Sequence, residues 1–163
     1  MSPRIYSVFV VAVMFFLIAA APPSNAAPSP AASDDACALL TAAQVSSATT
    51  VEFGEGTYVT PTFKKTCTWT IKKPAGKTAR IVTLFLQGAD AHEAGKKQLV
   101  NAVYVVPVSG VGDDAYYLAV DPQVYLFVKK GSVAFKMSVY GDIPLETKEA
   151  MEKTLAQQVV SHL

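Results

Sequence analysis

Four apolar stretches, AVYVVPV, AYYLAV, VYLFVKK and SVAFKMSVY, follow one another between residues 102 and 140 with only SGVGDD, DPQ and KKG separating them. Glycine, proline, serine and aspartate dominate those connectors, which is turn chemistry. Parallel neighbours need a crossover of a dozen or more residues, and none of these connectors is long enough. A doubly wound parallel sheet is therefore disfavoured, and the stretch reads as antiparallel strands.

Upstream, TCTWTIK alternates: Cys67, Trp69 and Ile71 fall on one face, Thr66, Thr68, Thr70 and Lys72 on the other, as in a strand buried on one side and wet on the other. After a turn at residues 74–77, ARIVTLFLQ supplies a second strand. Three segments carry helix signals. CALLTAAQVSSA holds a capping box, Thr41 with Gln44. DAHEAGKKQLVNA is capped by Asp90. In IPLETKEAMEKTLAQQVVSHL, Pro144 suits the first turn, and Met151, Leu155 and Val159 recur at spacing four on one face. The order predicts an α+β fold, an antiparallel sheet of about five to seven strands with helices packed on one face. Helix starts near 38, 90 and 145 add the expectation of two related α-β modules, although no residue match links the halves.

Residues 5–21 hold no charge, Arg4 precedes them, and Ser24-Asn25-Ala26 offers the small residues that a signal peptidase accepts. Residues 1–26 read as a cleaved signal peptide, 27–34 as an Ala/Pro/Ser linker and 35–163 as one α+β domain. An uncleaved anchor is the alternative, since a spanning helix needs about 17 to 25 residues. Pro22 and Pro23, which end the apolar run, speak for cleavage. The expected location is secreted or periplasmic.

Two cysteines, Cys37 and Cys67, remain after cleavage. In an oxidising compartment an even count reads as a disulfide. Closing a loop of about 30 residues is worth roughly 3.5 kcal/mol in the chain-entropy model. The rival reading, a catalytic thiol, needs a basic partner, and only His92 and the near-terminal His162 are on offer.

Without the leader, positive and negative side chains balance, but unevenly along the chain: residues 27–55 hold four acids and no base, residues 56–97 eight bases and two acids. Lys64, Lys65, Lys72, Lys73, Lys77 and Arg80 carry that excess. They form a candidate anion-binding segment for a polyanion; equally, lysines at hairpin ends discourage edge-to-edge strand pairing.

GVGDD, residues 110–114, is the densest cluster of glycine and carboxylate. A phosphate loop needs a helix after its glycines, whereas AYYLAV follows here. Asp113, Asp114 and Asp121 lack the spacing of an EF-hand loop. Adjacent aspartates in a strand point to opposite faces, so a tight turn is the reading. His92-Glu93 lacks the second histidine of a zinc motif, Lys96 standing in its place, and no G-x-S-x-G occurs. No metal or cofactor is expected. Tyr58, Tyr104, Tyr116, Tyr117, Tyr125, Tyr140 and Trp69 read as packing residues, or as a binding surface where several share the open sheet face with Lys72 and Lys136.

CALLTAAQV, then TCTWT, then GVGDDAYY, taken in order, resemble a family of exported bacterial cell-envelope domains, lipoproteins and secreted proteins among them, to which no activity is assigned. The resemblance covers most of the chain beyond the leader. It implies a Cys37–Cys67 disulfide and no enzymatic activity; the lipobox cysteine of the lipoprotein members is missing, so lipid anchoring does not carry over. The functional expectation is an exported non-catalytic binding or interaction module, with a polyanion or another cell-envelope protein as partner and nucleic acid disfavoured by the charge balance. The alternative is a small secreted hydrolase, or an inhibitor of an extracytoplasmic enzyme, using Asp113, Asp114 or Glu93.

Overall fold

A computed structural model describes residues 34–73, 76, 78–99, 105–120 and 122–163. The leader, most of the linker, Lys77, Tyr104 and Asp121 lie outside the described residues. Among the described residues seven antiparallel strands form one sheet: β1 (Thr57–Thr60), β2 (Phe63–Thr70), β3 (Ala79–Gly88), β4 (Val105–Pro107), β5 (Asp114–Val120), β6 (Gln123–Lys130) and β7 (Val133–Gly141), in the order β1-β2-β3-β7-β6-β5-β4. A 3-10 turn (Ala36–Ala38) and three helices complete it: α1 (Ala42–Thr49), α2 (Ala89–Leu99) and α3 (Leu145–Val160). This is the α+β class expected, with the strand number at the upper end.

The local signals act as chemistry requires. Thr41 Oγ1 accepts from Gln44 N (3.2 Å) while Gln44 Oε1 accepts from Thr41 N (2.8 Å), so the capping box of α1 is complete. In β2, Cys67 and Trp69 are fully buried and Ile71, just past the strand, nearly so, with the threonines on the opposite face. Asp90 sits inside the first turn of α2 instead of capping it, because the helix starts directly off β3, with Ala89 N donating to Ser132 O (3.1 Å).

Register sorts the sheet into two faces. Cys67 lies opposite Leu84, Leu84 opposite Met137, and Met137 opposite Leu126; these share a face with Trp69, Val82, Phe135, Val139 and Val128. Leu155, Ala156 and Val159 of α3 and Val45 of α1 close over that face and make the main core. α2 lies on the other face: its His92 packs on Tyr116 (ring centroids 5.1 Å), which stacks on Phe127 (5.0 Å). Two of the three helices therefore share one face, and α2 covers part of the second.

β1 to β3 and β4 to β7 are two meanders meeting at the β3–β7 pair. A two-fold axis relating antiparallel neighbours stands perpendicular to the sheet and keeps each face to itself. α1 and α2 lie on opposite faces, so the strands follow the two-module division and the helices do not.

The sheet is forked near its middle. β6 and β7 pair only from Leu126↔Met137 to Lys130↔Val133, although β6 begins at Gln123 and β7 runs on to Gly141. Beyond the last pair, β6 stays with β5 and β7 stays with β3. Glu152 of α3 fills the gap: Oε1 accepts from the freed Val139 N (2.9 Å), and the side chain is fully buried. An N–H stranded in a core is costly, so this carboxyl replaces a missing strand partner.

Candidate functional site

The disulfide is formed, Cys37 to Cys67, with Cα atoms 5.0 Å apart, and it ties the 3-10 turn to β2. Gly56 passes over it so closely that a Cβ there would meet Cys67 Sγ and the Trp69 ring. Both thiols are spent in this bond, which removes the catalytic-thiol alternative.

The fold brings the acids of the N-terminal segment to the basic one. Lys64 Nζ lies 3.6 Å from Asp35, Lys65 Nζ 3.8 Å from Asp34, and Lys72 Nζ 2.6 Å from Glu52. Arg80 donates to Gly76 O (3.4 Å), and Lys73 stands in the bend after β2. Three of the six bases of that segment are thus paired with acids in three dimensions. These pairs are exposed, and each is worth little in stability.

GVGDD is the loop between β4 and β5, with Gly110 (φ 79°) and Gly112 (φ 61°) in the left-handed region. A Cβ on Gly112 would run into the Lys129 carbonyl oxygen, so glycine is required there. The two aspartates part company as their register demands. Asp113 accepts from Gly131 N (2.7 Å) and Lys130 Nζ (3.0 Å) and holds the β6–β7 turn; those donors lower its pKa. Asp114 faces α2, where Lys96 Nζ donates to both its oxygens (2.8 Å) and His92 Nε2 lies 2.9 Å away. Lys96 first, then His92, hold its carboxyl below the usual range against the opposing effect of burial. Glu93 pairs with Lys129 beside it. His92 and Asp114 have the spacing of a catalytic dyad, yet the imidazole is sealed beneath α2 on Tyr116, and burial raises the Tyr116 phenol to about 12. The arrangement latches a helix to a sheet. Among the described residues no group of three metal-ligating side chains converges.

α2 leaves the rest of the second face uncovered among the described residues. Lys136 stands there between two rings, its Nζ 5.3 Å from the Tyr125 centroid and 5.9 Å from that of Phe85. Phe63, 45 % exposed, lies beside Phe85 (6.4 Å), and Tyr140 meets Tyr125 edge-on (6.4 Å). The hydrogen bond that Tyr125 shares with Tyr140, with burial second, raises the Tyr125 phenol. Thr66, Thr68 and Thr83 share this face by register. Of the aromatic residues singled out in the sequence, Tyr125 and Tyr140 stand with Lys136, while Trp69, Tyr116 and Tyr117 are buried packing residues; Lys72 is engaged with Glu52.

The chain matches no protein-family model, no curated protein and no solved structure. Its chemistry has to be read from its own residues.

One cleft of about 450 Å³ opens at the end of the β6–β7 fork. Pro122 and Gln123 form one wall, Gly141 to Ile143 another, and Leu145 and Lys148 of α3 the floor. Lys148 is 2 % exposed and donates to Pro122 O (2.8 Å). Gln123 Oε1 is buried without a hydrogen-bond partner among the described residues. The sequence carried a signal for these residues: Lys148 and Glu152 continue the spacing of Leu155 and Val159, so two charges sit on the buried stripe of α3.

Proposed function

We propose that this chain is a non-catalytic binding module that works outside the cytosol, released by removal of residues 1–26, as in the exported cell-envelope domains it resembles. Its ligand surface is the uncovered part of the second sheet face, and its ligand is an acidic polysaccharide. The observation that carries this reading is Lys136 held between the Phe85 and Tyr125 rings. Rings standing on a sheet offer flat apolar area to the C–H faces of sugars, threonine hydroxyls offer hydrogen bonds, and the ammonium answers an anionic group. The disulfide supports an oxidising compartment. Among the described residues no helix is long and apolar enough to cross a membrane.

The test is retention on immobilised acidic polysaccharide against neutral dextran. Retention on the acidic matrix only, weakened by salt, by Lys136→Glu and by Tyr125→Ala, is the expected result. Equal retention of wild type and Lys136→Glu would discard this surface. Asp113→Asn and Asp114→Asn should leave retention intact, since both side chains serve the loop and the α2 latch.

A further inference from the structure

We propose that the cleft at the open end of the β6–β7 fork binds a small monocarboxylate through Lys148 and the first turn of α3. At about 450 Å³ the cleft lies within the range of small-ligand sites. Lys148 is the decisive residue. Its side chain is almost wholly buried, yet Nζ donates to a single carbonyl, Pro122 O, and among the described residues no carboxylate forms an ion pair with it. Glu152, one helical turn on, turns Oε1 to Val139 N rather than to Lys148, and burial pushes its carboxyl up to about 9 although Val139 N and Lys148 pull it the other way. A buried ammonium without a counter-charge is costly, and the missing anion is supplied most directly from the cleft that Lys148 lines.

A second feature points the same way. Leu145, the first residue of α3, lines the cleft, and Pro144 gives the helix no side-chain cap, so the positive end of a 16-residue helix faces the same space. The remaining walls set the ligand class. Pro122, Ile143 and Leu145 are apolar, and Gln123 has an unpartnered carbonyl oxygen for an N–H or O–H donor. Asp142, also in the lining, repels any anion, and a dianion such as phosphate about twice as strongly as a monocarboxylate. A carboxylate with a neighbouring N–H and a short apolar side chain meets all of these, as in an N-acyl amino acid or the last residue of a peptide.

The experiment titrates purified, disulfide-intact protein with N-acetylvaline, N-acetylvalinamide, a tripeptide ending in valine, and inorganic phosphate, following backbone amide shifts. The acid should perturb Gln123, Gly141 and Lys148; the amide, which lacks only the charge, should bind about tenfold or more weakly, and phosphate should not compete. Lys148→Met should lose the acid, while Lys148→Arg keeps it. Tighter binding of the tripeptide and equal binding both uphold the site, the first assigning it to peptide ends and the second to free acids. Equal binding of acid and amide to the native protein overturns the proposal whether or not Lys148→Met folds, as does the absence of any shift at the cleft up to about 20 mM acid.

Discussion

Glu152 shows how one side chain can govern the pH response of a domain. Its carboxyl is pushed up to about 9, first by burial, while the Val139 N–H pulls the other way. An unfolded glutamate titrates near 4.3. Between those values the unfolded state holds fewer protons than the native one, so stability falls as pH rises from about 5 to about 9. Thermal melts at pH 5, 7 and 9 should show a falling midpoint in the wild type and a flatter profile in Glu152→Gln, which stays neutral throughout. Asp114 works in the opposite sense: its lowered pKa adds stability above the unfolded value, near 3.9, which is lost on acidification through the folded one. Gly56→Ala is expected to destabilise by about 1 to 3 kcal/mol, measured by urea unfolding, because the new methyl collides with the disulfide and Trp69.

At the scale of elements, α2 is held to the sheet by the Lys96–Asp114 and Glu93–Lys129 pairs and by His92 packed on Tyr116. Asp114→Asn removes the carboxylate that Lys96 and His92 share, and amide exchange across residues 89–97 should accelerate while that of β2 and β3 stays slow. Much of this level was legible in the sequence. The alternation of Cys67, Trp69 and Ile71, the Thr41–Gln44 box and the turn chemistry of GVGDD each act over a few residues, and each appears as read. β1 was missed: it is four residues long and mostly exposed, so it has no alternation to betray it. The β3–β7 pairing was not legible, because it joins segments about fifty residues apart that carry no matching local pattern, and the fork was not, because nothing in residues 123–125 or 138–141 marks where two adjacent strands stop pairing. The aromatic face lay between these cases; the rings were visible, and their gathering around Lys136 needed the register.

For the molecule as a whole, the disulfide anchors the N-terminal segment to the first meander. Replacing Cys37 and Cys67 by serine should cost roughly 3.5 kcal/mol by the loop-entropy argument, read as a lower denaturant midpoint. The same linkage explains why charge could be distributed so unevenly: the acids at residues 34, 35 and 52 are carried to Lys65, Lys64 and Lys72. The place of β7 has a wider consequence. Among the described strands β7 is latest in sequence yet lies between β3 and β6, so β1–β3 and β4–β6 share no neighbour until residues 133–141 are made. The two halves are thereby kept apart until that strand is in place, and the core beneath α3, to which it contributes Phe135, Met137 and Val139, closes only with it.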